Sequence, residues 1–152
     1  MSDLVKPPTA RRPQEALDLV SQALSDGDLE AALAQYESAA LLAYWPCRAV
    51  RADSDIRGAL TEFMALRLPL SVRIATVLET PDLALVICER RVAGIGPDGE
   101  LVRLSGRGCA VVRRQQDGSW RIAADAWQVT AEQPADRWLS CVPDASTIVR
   151  SD

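Results

Sequence analysis

The strongest constraint on the fold lies in residues 83–129, where three strand-like runs are separated by two short turn signals. The runs are residues 83–93, 101–116 and 120–129, and between them stand Gly94-Ile-Gly-Pro-Asp-Gly99 and Asp117-Gly118. Glycine and aspartate supply the positive φ values that hairpin loops need, and proline presets φ at a turn. Long strands joined this tightly predict an antiparallel meander. Such a sheet has one face to bury, and the chain before it must supply the cover.

That earlier chain reads as helices. Residues 1–12, with Pro7, Pro8 and Arg11-Arg12, show no hydrophobic period and read as a flexible leader. Pro13 suits a first helical position, where its missing N–H costs nothing. Leu17, Val20 and Leu24 then recur at helical spacing, widened by Ala16, Leu19 and Ala23, until Gly27 ends the helix. Asp28 caps a second helix, in which Leu29, Ala32, Leu33 and Tyr36 fall at i, i+3, i+4 and i+7. Residues 41–45 read as a short strand that stops at Pro46, followed by a loop. Asp53 or Ser54 then caps a third helix running to about Arg67, with Ile56, Leu60, Phe63 and Met64 on its buried face and Pro69 preventing continuation. Residues 70–80 form the strand that leads through Pro81-Asp82 into the meander. After Val129 the chain turns polar, with Trp138, Leu139 and Cys141 as its anchors.

The expected organisation is a leader at 1–12, one domain at 13–130 and a C-terminal tail at 131–152. A chain of 152 residues is the size of one domain with one core. The fold class is α+β: three N-terminal helices packed in the concave face of a curved, mostly antiparallel sheet, leaving a cone with an open end.

Composition removes several functions. Lys+Arg 17 against Asp+Glu 21 leaves a net charge of −4, so the molecule on average repels a phosphate backbone and nucleic acid is not an expected partner. The longest apolar run, 39–45, is far short of the roughly 20 residues a membrane helix requires. No membrane partner is expected, and the N-terminus lacks a secretory apolar core, so a cytoplasmic protein is expected. Cys47, Cys88, Cys109 and Cys141 form no C-x-x-C pair and read as buried thiols rather than a zinc site. The chain has no histidine, which removes imidazole bases, His-ligated metals and Ser-His-Asp triads together. No metal or cofactor is expected, and any catalyst must be a carboxylate, tyrosine, cysteine or arginine.

Asp125 is the candidate base, because it interrupts the apolar run Ile122-Ala-Ala-Asp-Ala-Trp127. Burial raises a carboxyl pKa by up to about 3–5 units, whereas an adjacent arginine lowers it by about 1–3, and the balance decides between a base and a structural ion pair. An exposed strand-end position is the third possibility. Arg90 shares the more apolar face of its strand with Ala84, Val86, Cys88 and Val92. Arg107 stands between Gly106 and Gly108, whose missing side chains leave space around it. Two convergent guanidiniums suit a carboxylate, phosphate or enolate oxygen, and a solvated sheet face accounts for both equally well. Tyr44 and Trp45 are candidates for the mouth or wall of the cone, or for core packing, and Trp127 is a candidate substrate-binding residue on the last strand. Gly94-Ile-Gly-Pro-Asp-Gly99 matches G-x-G-x-x-G only formally, since Pro97-Asp-Gly99 feeds a strand and not a helix.

Four signals together carry a resemblance: Gly27-Asp28-Leu29-Glu30 between two helices, Ser54-Asp-Ile-Arg-Gly58 opening the third, Pro97-Asp-Gly99 between long strands, and Val112-Arg-Arg-Gln-Gln-Asp-Gly-Ser-Trp-Arg121 leading into the last strand. Over residues 13–128 the chain resembles the SnoaL-like branch of the nuclear transport factor two-like superfamily, which includes ketosteroid isomerase, polyketide cyclases and dehydratases. The resemblance implies a cone whose interior binds a small organic molecule, commonly in a homodimer formed through sheet surfaces. It implies a cofactor-independent isomerase, cyclase or dehydratase, or else a non-catalytic ligand-binding or dimerisation module. The isomerase residues themselves do not carry over. The position of its helix tyrosine holds Val20, that of its base holds Tyr44 and Trp45, and that of its protonated aspartate holds Gly108 or Cys109.

Overall fold

The computed structural model describes residues 5–44, 48–51 and 53–133. Helix α1 (Pro13–Asp26) begins at Pro13 and ends at Gly27, whose φ of 74° is the left-handed cap conformation. It buries Ala16, Leu17, Val20, Ala23 and Leu24, the stripe expected from spacing. Asp28 then caps α2 (Leu29–Leu33) by accepting from the Ala31 N–H at 3.0 Å. Strands β1 (Tyr36–Tyr44) and β2 (Arg48–Arg51) precede α3 (Asp53–Met64), and β3 (Leu70–Glu79), β4 (Leu83–Ile95), β5 (Leu101–Arg114) and β6 (Trp120–Gln133) follow. No described helix is long and apolar enough to cross a membrane.

The class is α+β, and β3 to β6 form the expected antiparallel meander, but the sheet is mixed. Its order is β2-β1-β6-β5-β4-β3, with β1 parallel to β6 and antiparallel to β2. Four local expectations change. Helix α2 stops after five residues and Tyr36 begins β1, because its backbone is taken up by pairing with Ile122. Residues 48–51, expected as loop, pair as β2 with residues 41–44. Helix α3 ends at Met64, three residues early, and Arg67 adopts a left-handed φ of 52° before Pro69. Strand β6 runs four residues past Val129.

The leader touches the domain at Pro8 and Ala10, while Val5 is exposed. Ala10 is fully buried and accepts from the Trp120 N–H at 3.0 Å, and the buried Gln35 side chain donates to the Pro8 carbonyl at 2.8 Å. The expected tail anchors Trp138, Leu139 and Cys141 lie outside the described residues, as do Trp45 and Cys47.

Helices α1 and α3 lie against one face of the sheet, here called inner, and the core fills the space between. Its contributors from the sheet alternate along each strand: Ala84, Val86, Cys88, Arg90 and Val92 on β4, and Leu104, Ala110 and Val112 on β5. One irregularity matters for the site. Val112 pairs with Ile122 but Val111 pairs with Ala124, so Ala123 is an extra residue in β6. Such a bulge reverses the phase of alternation. Trp120 and Ile122 face inward before it, and Asp125 and Trp127 face inward after it.

Candidate functional site

Arg90 and Asp125 meet on the inner face, although a whole strand separates them. Arg90 leaves β4 and crosses β5 to reach β6, where Nη2 donates to Asp125 Oδ1 at 2.6 Å and Nη1 donates to Oδ2 at 3.3 Å. The crossing passes over Gly108. A Cβ at that position would stand 2.8 Å from Arg90 Nε, 2.9 Å from Cys88 Sγ and 3.1 Å from Arg90 Cζ, distances that ordinary van der Waals contact forbids. Gly108 therefore makes room for Arg90 and not for Arg107. The third member is Tyr36 at the start of β1, whose hydroxyl donates to Asp125 Oδ2 at 3.3 Å.

The trio is buried, with side-chain exposures of 7% for Arg90 and 2% for Asp125. Burial opposes the Arg90 charge most strongly, yet the Asp125 charge and hydrogen bonds more than offset it, so the guanidinium holds its proton more tightly than a free one. Burial, and then the negative charge of Asp125, push the Tyr36 hydroxyl well above its ordinary value. Tyr36 is therefore a neutral donor at any physiological pH. The cluster is a cation, an anion and a phenol with no net charge.

These groups form the polar part of an otherwise apolar cavity. Its walls come from Leu17, Val20 and Leu24 of α1, Leu60 and Phe63 of α3, Leu42 and Tyr44 of β1, and Leu70 and Val72 of β3. Its volume is about 50 Å³, more than the roughly 10–15 Å³ one water needs. Trp127 completes the lining, with the Phe63 ring edge-on at 6.2 Å. Among the described residues no three His, Cys, Asp or Glu side chains gather as a metal site would require.

Of the residues singled out from sequence, Asp125, Arg90, Tyr44 and Trp127 share this cavity. Arg107 does not join them. It is exposed on the opposite face of β5, with Glu89 as its cross-strand neighbour, because odd positions of β5 point away from the helices. Convergence of Arg90 with Arg107 is thereby corrected to convergence of Arg90 with Asp125. Cys109 likewise is exposed on that outer face, unlike the buried Cys88. Tyr36 is the participant that sequence reading missed. The segment Leu29-Glu-Ala-Ala-Leu-Ala-Gln consists of strong helix formers, so nothing local marks a strand start there.

Chemically, a carboxylate offers about four lone-pair directions. Arg90 takes one on each oxygen and Tyr36 takes a second on Oδ2, which leaves one on Oδ1. The arrangement can orient a polar atom of a ligand. It can accept a proton only through that remaining direction.

The outer face carries a different feature. A shallow apolar groove runs across β1, β2, β5 and β6, lined by Leu41, Ala43, Val50, Cys109, Val111 and Ala126.

No family model matches the sequence, and no curated protein matches it. Solved structures do. One is a ketosteroid isomerase-like protein from Erwinia carotovora atroseptica, with a TM-score of 0.70 and 16% identity over 78% of this chain and 93% of that one. Another is a nuclear transport factor two-like protein of unknown function from Shewanella oneidensis, with a TM-score of 0.62 and 16% identity over 75% and 93%. A protein of unknown function with a cystatin-like fold from Nostoc punctiforme gives a TM-score of 0.62 and 18% identity over 76% and 86%. At such identities the likeness is one of fold.

Proposed function

We propose that this chain, which has the nuclear transport factor two-like fold shared by ketosteroid isomerase-like and cystatin-like proteins, binds a small organic molecule between α1, α3 and the sheet. The observation that carries this reading is a cavity with apolar walls and a compact, charge-neutral polar cluster on one side. A few placed polar groups among apolar walls are the usual composition of small-molecule sites. Within the superfamily, the turn and cap motifs at 27–30, 54–58, 97–99 and 112–121 support the SnoaL-like branch.

Native mass spectrometry of the purified protein, before and after organic extraction, tests the reading. The expected result is a bound small molecule, or binding on screening, that is lost when Val20→Trp fills the cavity. Binding that survives Val20→Trp, or no binding in either form, overturns it.

A second reading adds catalysis: cofactor-free isomerisation, cyclisation or dehydration with Asp125 as the base. The free lone-pair direction on Oδ1 supports it, and the double grip of Arg90 favours binding over it. Unchanged turnover of an identified substrate by Asp125→Asn would remove the base and leave the binding role. The outer groove supports a homodimer through sheet surfaces, since apolar side chains exposed together on a sheet favour a partner. Sedimentation at micromolar concentration tests it, and a monomer there overturns a stable dimer.

A further inference from the structure

One residue of the cavity wall carries a buried donor with no partner. The Trp127 indole N–H is buried without a hydrogen-bond partner, and Trp127 lines the cavity. Leaving such a group unpaired costs free energy, so a native structure normally supplies a partner for it. Asp125, two residues earlier on the same face of β6, has three of its acceptor directions taken. Arg90 Nε is also buried and unpaired, but it lies against Gly108. The unpaired acceptor among these groups, Gln35 Oε1, is not part of the cavity lining.

Resting on the pocket reading above, we infer that the ligand is a neutral, compact, largely apolar molecule carrying one hydrogen-bond acceptor, such as a ketone, lactone or ether oxygen, and that the Trp127 N–H receives that acceptor. Neutrality follows from the pairing of Arg90 with Asp125. An anion would enter apolar walls beside a cation already compensated, and a cation would find a carboxylate already held, so either would be desolvated without return. Compactness follows from a cavity of about 50 Å³. The apolar remainder matches Leu17, Val20, Leu60 and Phe63 around it.

The test uses acetone and its apolar isostere isobutene, molecules of a size that matches the cavity. Each is titrated into protein with 15N-labelled indoles, in the natural sequence and in Trp127→Phe. The indole resonance absent from Trp127→Phe is expected to move with the ketone and to stay largely in place with the alkene. Trp127→Phe is expected to weaken ketone binding by about two- to tenfold, the worth of one neutral hydrogen bond, and to leave alkene binding nearly unchanged. If both compounds bind and the indole moves with neither, or if the substitution affects both alike, the acceptor assignment falls while the pocket stands. An indole held by a permanent water gives that same result. If neither compound binds at millimolar concentration, the pocket reading falls with it. Should Trp127→Phe fail to fold, the ketone and alkene shifts in the natural sequence decide the matter alone.

Discussion

Among the arginine–carboxylate pairs that join strands of this sheet, one lies on each face and invites comparison. Arg90–Asp125 on the inner face and Arg73–Glu89 on the outer face have nearly equal closest approaches, 2.6 and 2.7 Å. Their side-chain exposures are 7% and 2% in the first pair, and 69% and 40% in the second. The same two functional groups at the same distance therefore have different consequences. Water and salt screen the outer pair, whose partners lose little on separation. The inner pair was stripped of water on folding, so each partner depends on the other.

The sharpest way to break this comparison is to remove one inner partner. Asp125→Ala leaves Arg90 buried and uncompensated, and is expected to cost about 3–5 kcal/mol in urea denaturation. Replacing both groups, as Arg90→Met with Asp125→Leu, is expected to restore most of that stability. Equal losses for the single and double replacements would deny that the pair is a unit. Gly108→Ala should cost about 1–3 kcal/mol, because its Cβ intrudes on the crossing guanidinium and the Cys88 sulfur. A crystal structure of that variant with Arg90 undisplaced would contradict the argument.

Tyr36→Phe removes one long hydrogen bond to Asp125 and is expected to cost about 0.5–1.5 kcal/mol, measured by the same denaturation. The smallest effect belongs to the outer pair. A hydrogen bond from Arg73, and then its charge, hold the Glu89 carboxyl below its ordinary value. The Glu89 contribution is thus present at neutral pH and lost as pH falls through that lowered value. Glu89→Gln should shift the melting temperature barely at low salt and not at all in 1 M salt, where the Debye length is about 3 Å. A loss for Glu89→Gln comparable to that for Asp125→Ala would erase the distinction between the faces.

The comparison also explains what could be read from residues alone. Strict alternation on β4 placed Arg90 on the apolar face, and the structure agrees because β4 keeps an even register with β5 along its whole length. On β6 alternation fails. Counting from Ile122 by twos puts Asp125 on the outer face, and only the extra residue at Ala123 turns Asp125 and Trp127 toward the helices. Ala123-Ala124 carries no local mark of a bulge, since any two alanines could be regular strand. Arg107 stays open between pocket and solvated face on local grounds for a related reason: Gly108 does signal close approach, but the group that approaches comes from another strand.

The sequence by itself determined the meander, the capped helices, the apolar stripes and the absence of imidazole chemistry. These rest on periodicity, turn residues and composition, which act within a few positions along the chain. Only the tertiary structure decided that Tyr36 opens a strand, that β1 runs parallel to β6, and that Arg90, Asp125 and Tyr36 form one neutral cluster beside Trp127. Those outcomes depend on pairings across 35 to 89 positions of sequence and on a one-residue slip in register. Nothing short-range specifies either, because the free energy that selects them comes from burying the whole inner face at once.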